Sequence, residues 1–225
     1  LGERNTWRGV DIEYRSDGTS FTITRDGEKV ARMTIPLLGE FNVRNALGAS
    51  VAATWLGLTF DEIQSGLESF RNARRRLELK LERDGVLIYD DFAHPPPAIR
   101  ETLSAIRHRH PESRLWAVFE PRSNTTRRNV FQKELAAAFD AADLALLTEI
   151  DRLEELPPDE RLDPRLLVDD LRDRNVEAIF LPNPRAIADH LRRNLRHGDV
   201  VVVMSNGSFG GLHGLLAAGE MESSA

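Results

Sequence analysis

Gly85-Val86-Leu87-Ile88-Tyr89-Asp90-Asp91-Phe92-Ala93-His94-Pro95-Pro96-Pro97-Ala98-Ile99 reads as a strand turning into a helix. Residues 85–89 form a short apolar, β-rich run, and from residue 98 to 109 the apolar side chains Ile99, Leu103 and Ile106 recur at helical spacing. Pro96 and Pro97 stand in the first turn of that helix, where a missing N–H costs nothing. Two adjacent carboxylates therefore lie at the carboxyl end of a strand and face a helix N-terminus, the place where open α/β sheets hold ligands. A helix-capping role for Asp90 or Asp91 would account for the pair equally well.

The pattern continues downstream as alternating strands and helices. Strands are expected at 114–120, 144–148 and 176–181, and helices at 130–139, 164–174 and 184–195. Residues 199–204 (DVVVVM) are a continuous apolar run of the kind buried on both faces of a parallel sheet. It leads through Ser205-Asn206-Gly207-Ser208-Phe209-Gly210-Gly211 into a short last helix. Residues 151–163 are acidic and proline-bearing and read as a surface loop, and 220–225 as a frayed tail. The expected fold is a doubly wound, Rossmann-like α/β domain with a mainly parallel sheet.

Upstream the period differs. Residues 7–15 and 20–24 alternate apolar and polar, joined by the turn signal Ser16-Asp17-Gly18-Thr19, and a third strand at 30–35 follows Asp26-Gly27. A helix is expected over about 42–56, stopped by Gly57, and a second from Thr59, whose spacing to Glu62 matches a capping box, to Phe70. Three strands make a thin sheet that needs a partner layer, and the segment reads as a domain entered midway. The basic connector Arg71-Asn72-Ala73-Arg74-Arg75-Arg76 marks the boundary. The division is residues 1–72, 73–220 and a tail at 221–225.

Composition narrows the function. With 225 residues and 41% hydrophobic content, the chain can bury a sizeable core. No run approaches the roughly 18 uninterrupted apolar residues of a membrane span, and no signal sequence opens the chain. The absence of cysteine excludes disulfides, thiolate catalysis and thiolate-bound zinc, and accords with a cytoplasmic protein. A net charge of −6 argues against a dedicated nucleic-acid binder.

Three loops fall at the carboxyl ends of strands in the second domain: the Asp91 turn, Pro121-Arg122-Ser123-Asn124-Thr125, and 205–211. They are expected to converge on one edge. Arg122 offers a planar fork for phosphate or carboxylate, with Ser123, Asn124 and Thr125 as neutral hydrogen-bonding neighbours, and Ser205, Asn206 and Gly207 begin a loop whose N–H groups suit an anion. Tight-turn duty for the glycines and a solvated loop arginine are the plain alternatives. The chain contains no G-x-x-x-x-G-K-[ST] phosphate loop, and none of these loops is the G-x-G-x-x-G of a dinucleotide site.

Five ordered motifs resemble the Mur ligases, three-domain enzymes that form an amide bond at the expense of ATP, and among them the murein peptide ligases most. Gly39 to Asn45 (GEFNVRN) is similar to G-x-H-N-x-x-N, residues 70–78 (FRNARRRLE) to F-x-N-[AV]-[RK]-R-R-L-E, and residues 90–99 to D-D-F-A-H-H-P-T-A-I. Glu120 to Thr125 (EPRSNT) and Met204 to His213 (MSNGSFGGLH) are the most specific, since sister ligases read differently there. The resemblance implies that Asn42 and Asn45 lie near the ATP adenine, Arg76 near its phosphates, and Asp91 on its ribose. His94 follows Asp91 in the same motif and shares its catalytic assignment. Arg122, Ser123, Asn124, Thr125, Ser205, Asn206 and Gly207 would gather the incoming peptide.

The implied reaction is phosphorylation of the UDP-N-acetylmuramate carboxylate by ATP, followed by attack of the amine of the tripeptide L-alanyl-γ-D-glutamyl-meso-diaminopimelate, in cell-wall recycling. Domain closure would exclude water from the acyl phosphate. The magnesium ligands, the phosphate loop and the UDP-binding domain would belong to the rest of the ligase chain, making this chain the strand-and-helix end of the central ATPase domain plus the C-terminal domain. Two positions depart from the pattern: Phe41 stands in place of a histidine, and Pro95 in place of the second histidine of A-H-H-P. An L-alanine-adding sister ligase, or a non-catalytic peptide- or nucleotide-binding module, are the alternative readings.

Overall fold

The chain divides into two compact units between Ala73 and Arg74, and the computed structural model describes residues 5–15 and 17–218. Ser16 of the first turn and the tail expected at 220–225 lie outside the described residues.

In the first unit β1 (Trp7–Arg15), β2 (Gly18–Arg25) and β3 (Glu28–Ile35) form an antiparallel sheet in sequence order. Asp26 and Gly27, both at positive φ (50° and 90°), close the second hairpin as a mirror-image turn whose twist matches the strands. Alternation sends Phe21, Ile23, Met33 and Ile35 to one face. There they are buried with Val43 and Ala46 of helix α1 (Glu40–Trp55) and Ile63 of α2 (Phe60–Glu68), the partner layer a thin sheet needs. Thr59 caps α2 with both bonds of the capping box, as the spacing predicts. Gly57, at φ 89°, follows Leu56, the C-cap of α1. Helix α1 starts two residues before the expected position because Gly39, at φ 86°, supplies its N-cap. Asn42 is therefore inside the first turn and caps nothing.

The second unit contains β4 (Glu78–Arg83), β5 (Val86–Asp91), α3 (Pro96–Arg109), β6 (Leu115–Phe119), α4 (Gln132–Ala138), β7 (Leu144–Thr148), α5 (Pro164–Arg172), β8 (Glu177–Leu181), α6 (Pro184–Asn194), β9 (Val200–Met204) and α7 (Leu212–Ala218). Strand order is β4-β5-β9-β6-β7-β8, with β5 through β8 parallel and β4 antiparallel at the edge. The sequence reading had no place for β4. Its charges (Glu78, Lys80, Glu82, Arg83) look like a continuation of the basic connector, but charge is how an exposed edge strand avoids pairing with a foreign one. Asp84 and Gly85, at φ 52° and 74°, make the two-residue turn into β5.

Period-2 alternation divides the apolar side chains of the sheet between two helical layers. Val86, Ile88, Trp116, Val118, Val201 and Val203 pack with Ile187 and Leu191 of α6 and Leu212 and Leu216 of α7. On the other face Phe119 meets Phe139 just beyond α4, edge to face at 5.7 Å, and α3, α4 and α5 pack in succession. Three crossovers step outward from β5 to β8, and α6 carries the chain back so that β9 enters the centre. Its neighbours β5 and β6 lead into helices on one face while β9 leads into α7 on the other, so the crevice of this sheet flanks the carboxyl end of β9. Residues 151–163, expected as a free loop, contain two 3-10 turns and are tied down. Leu162 N donates to Arg127 O at 2.9 Å, Asn129 Nδ2 donates to Asp159 O at 2.7 Å, and Leu156 and Leu162 are buried.

Candidate functional site at the carboxyl edge of the parallel strands

Beside β9 two of the expected loops meet. Glu120, the residue after β6, is buried, and its Oε2 accepts from Ser205 Oγ at 2.5 Å; the same hydroxyl accepts from Gly207 N at 2.9 Å. Arg122 lies over Gly207 so closely that a Cβ built there would be 2.6 Å from Arg122 Cδ, so a side chain at this position would push the arginine aside. Its Nη1 is 3.8 Å from Glu120 Oε1, and its side chain is 38% exposed. Arg122, Ser205 and Gly207 are thus brought together by Glu120, which carries no role in the sequence reading. The clue was present in the carboxylate placed at a strand end two residues before an arginine.

The other loop residues divide. Ser123 turns back on its own loop, bonded to Thr126 N (3.0 Å) and Thr126 Oγ1 (2.7 Å), while Asn124 and Thr125 are exposed at the tip. Asn206 is half-buried, and its Oδ1 has no hydrogen-bond partner among the described residues. Beyond Arg122 opens a cavity of about 480 Å³ between the ends of β6, β7 and β8. Its wall carries Arg122 and Arg152 together with Glu149, Asp151 and Glu154.

At the end of β5 the two aspartates point to opposite faces. Asp91 is 3% exposed. Its Oδ1 accepts from Ala93 N (2.7 Å) and Thr102 Oγ1 of α3 (3.2 Å), and its Oδ2 from Leu77 N (2.7 Å). Burial pushes its pKa above the ordinary carboxylate value, against those three bonds and the charge of Arg76. The carboxylate expected on the ATP ribose is thus turned inward and engaged on both oxygens. Neither aspartate caps α3, whose N-cap is Pro95.

Asp90 faces the α7 side, with His213 Nε2 3.2 Å from Oδ1 and Arg75 Nε 3.3 Å from Oδ2. Burial opposes its charge, but the His213 hydrogen bond, reinforced by the charges of His213 and Arg75, holds its pKa below the ordinary value. Arg76 is exposed, and His94 is half-buried with Nδ1 2.9 Å from Phe92 O and its ring edge-on to Phe92. In the first unit Asn42 and Asn45 share a helix face as their spacing requires. Asn42 Nδ2 donates to Leu38 O (2.8 Å), and Asn45 Nδ2 lies 3.5 Å from Asn42 Oδ1 with the residue exposed. Among the described residues no group of three histidine or carboxylate side chains is placed to hold a metal ion. No helix is long and apolar enough to cross a membrane.

Residues 75–207 match the family model described as Mur ligase, glutamate ligase domain, and residues 1–53 that of the Mur ligase middle domain. The chain belongs to the Mur ligase family. It is 35% identical over 221 residues, 97% of its length, to the UDP-N-acetylmuramate–L-alanyl-γ-D-glutamyl-meso-2,6-diaminoheptandioate ligase of Escherichia coli, and covers 46% of that protein. It is also 32% identical over 209 residues, 92% of its length, to the UDP-N-acetylmuramate–L-alanine ligase of Acetivibrio thermocellus, covering 44% of it. Among solved structures, a murein peptide ligase from Psychrobacter arcticus superposes with a TM-score of 0.64 at 30% identity, over 96% of this chain and 44% of that one. The chain spans about half the length of the curated relatives it matches.

Proposed function

We propose that this chain is the carboxyl-terminal part of an ATP-dependent, cytoplasmic ligase that joins UDP-N-acetylmuramate to L-alanyl-γ-D-glutamyl-meso-diaminopimelate through an acyl phosphate. Residues 1–72 would be the end of the ATP-binding domain, carrying Asn42 and Asn45 toward the adenine, and residues 73–220 the domain that receives the peptide. In the second domain Arg76 and His94 would serve the nucleotide, and Asp91 holds the turn beside them. Magnesium is assigned to the rest of the ligase, in keeping with the absence of a metal-binding group of side chains among the described residues.

The observation that carries the reading is the cavity beyond Arg122. At about 480 Å³ it is far roomier than L-alanine requires. Its mixture of guanidinium and carboxylate groups suits a substrate end bearing both a carboxylate and an ammonium, as diaminopimelate does. The L-alanine ligase reading retains the support of relatives of comparable identity.

The test is to incubate the full-length protein with ATP, magnesium and UDP-N-acetylmuramate, with either tripeptide or L-alanine, and follow phosphate release and ligated product by mass spectrometry. Turnover at least tenfold faster with tripeptide is expected, and the reverse preference overturns the assignment. The 225-residue chain alone is expected to release no phosphate, because phosphoryl transfer depends on a phosphate cradle that it does not contain.

A further inference from the structure

Arg75 follows the division between the two units by one residue, and its turn is fixed at both ends. The backbone is left-handed (φ 58°), the N–H donates to Glu78 Oε2 at 2.8 Å, and the carbonyl accepts from Phe92 N at 2.9 Å. From there the guanidinium reaches in three directions. Nε lies 3.3 Å from Asp90 Oδ2, Nη2 donates to Ser205 O at 2.5 Å, and the group sits over the Phe92 ring at 5.4 Å.

Ser205 is the residue whose hydroxyl joins Glu120 to Gly207, and Gly207 is the surface on which Arg122 lies. Asp90, Glu120 and Ser205 are all buried, while the Arg75 side chain is 30% exposed, so the Ser205–Glu120 link lies in the interior and the Arg75 links at its edge. The 205–211 loop needs such support. Phe209, Gly210 and Gly211 all have positive φ, a path with no regular ladder of its own.

We propose that Arg75 is a positioning residue for the peptide site: it holds the 205–211 loop, and through Ser205 and Glu120 the guanidinium of Arg122, in register with the segment that joins the two units. The proposal rests on reading Arg122 as the ligand of the incoming substrate. Arg75 itself contacts no substrate in it. Any change in the path of residues 74–77 is transmitted to Ser205 O, so a peptide site of full affinity requires this segment to be in place.

The test compares Arg75→Ala and Arg75→Lys in the full-length ligase. For Arg75→Ala the KM of the amine substrate should rise about tenfold while that of ATP stays within about twofold. Arg75→Lys keeps a cation for Asp90 but lacks the fork that spans Asp90 and Ser205 O, so it should recover more of the Tm than of the KM. In combination with Arg122→Ala, the effect of Arg75→Ala should be far less than additive, since no ligand is then left to position. Equal rises in both KM values alongside a lower Tm, or full additivity, would mean an ordinary structural arginine and would overturn the proposal. Should Arg75→Ala not fold, the Lys variant decides: a raised amine-substrate KM at near-native Tm supports it, an unchanged KM overturns it. If the split is read on L-alanine, the positioning role stands and the tripeptide assignment falls. If Arg122→Ala raises the tripeptide KM and neither Arg75 variant does, the assignment stands and the positioning role falls.

Discussion

The ends of β5 and β6 carry motifs of comparable strength, yet they use their polar side chains in opposite ways. Asp91 closes the β5 end by gathering Leu77 N, Ala93 N and Thr102 into the layer beneath α3, whereas Glu120 at the β6 end engages Ser205 and leaves Arg122 partly open above a cavity. The difference arises from parity and from the loops. Asp91 points to the face that α3 covers, and the chain on either side of it turns N–H groups toward it. A carboxylate in a strand-end motif thus serves the turn itself when nearby backbone donors converge on it, as at Asp91, and ties one loop to another when its partners come from a distant segment, as Glu120 does with Ser205.

The largest effect that would test this contrast is expected for Asp91→Ala. Three donors to a buried carboxylate are left unsatisfied, and a loss of about 3 kcal/mol should follow, lowering the Tm by roughly 10 °C for a chain of this size. An unchanged Tm with a raised ATP KM would favour the ribose role and break the comparison. Arg122→Ala should do the reverse. The Tm should stay nearly constant while the KM for tripeptide in the full-length ligase rises about tenfold, the equivalent of about 1.4 kcal/mol of lost charged hydrogen bonding. Equal changes for ATP and peptide would remove Arg122 from the peptide site.

Thr59→Ala in the first unit supplies a control, since its cap is exposed and local. A loss of about 1 kcal/mol in thermal or urea unfolding is expected, without the kinetic split predicted for Arg122→Ala.

The smallest effect is one of sign. Asp90 titrates below its unfolded value, so its contribution to stability is present above about pH 3.8 and is lost as the pH falls through its folded pKa. Asp91 titrates above its unfolded value, so the stability linked to its protonation is present below about pH 3.8 and lost as the pH rises through its folded pKa. Stability measured from pH 7 down to 3 should therefore lose acid sensitivity in Asp90→Asn. A greater acid sensitivity in that variant would contradict the environment described for Asp90.

Much of the architecture was legible because it rests on local pattern. The strands Trp7–Arg15 and Leu144–Thr148 and the capping box at Thr59 lie where alternation and spacing place them. Strand β4 escaped because its charges match those of the connector before it, although the Asp84-Gly85 turn signalled a hairpin. The convergence of Arg122, Ser205 and Gly207 followed from their shared place at strand ends. The inward turn of Asp91 did not, because it depends on which face α3 covers, and that is decided by the insertion of β9, a contact far apart in sequence. Glu120 and Arg75 were hidden for the same reason, since their roles exist only once residue 205 lies beside them.

The central position of β9 also bears on how the second unit comes into being on the ribosome. β5 and β6 never pair with each other; each pairs with Val200–Met204. Until that strand has emerged, the nascent chain holds only the β4–β5 hairpin and the β6–β7–β8 ribbon, with their inner edges bare. Such long-range closure is slow and leaves strand edges open to aggregation while it waits. The strand that ends the wait is followed at once by Ser205, so the step that completes the core also seats the hydroxyl against Glu120. A stalled or truncated product ending before residue 200 would therefore lack both a continuous sheet and the Ser205–Glu120 contact, and should be cleared by proteases as an unfolded chain.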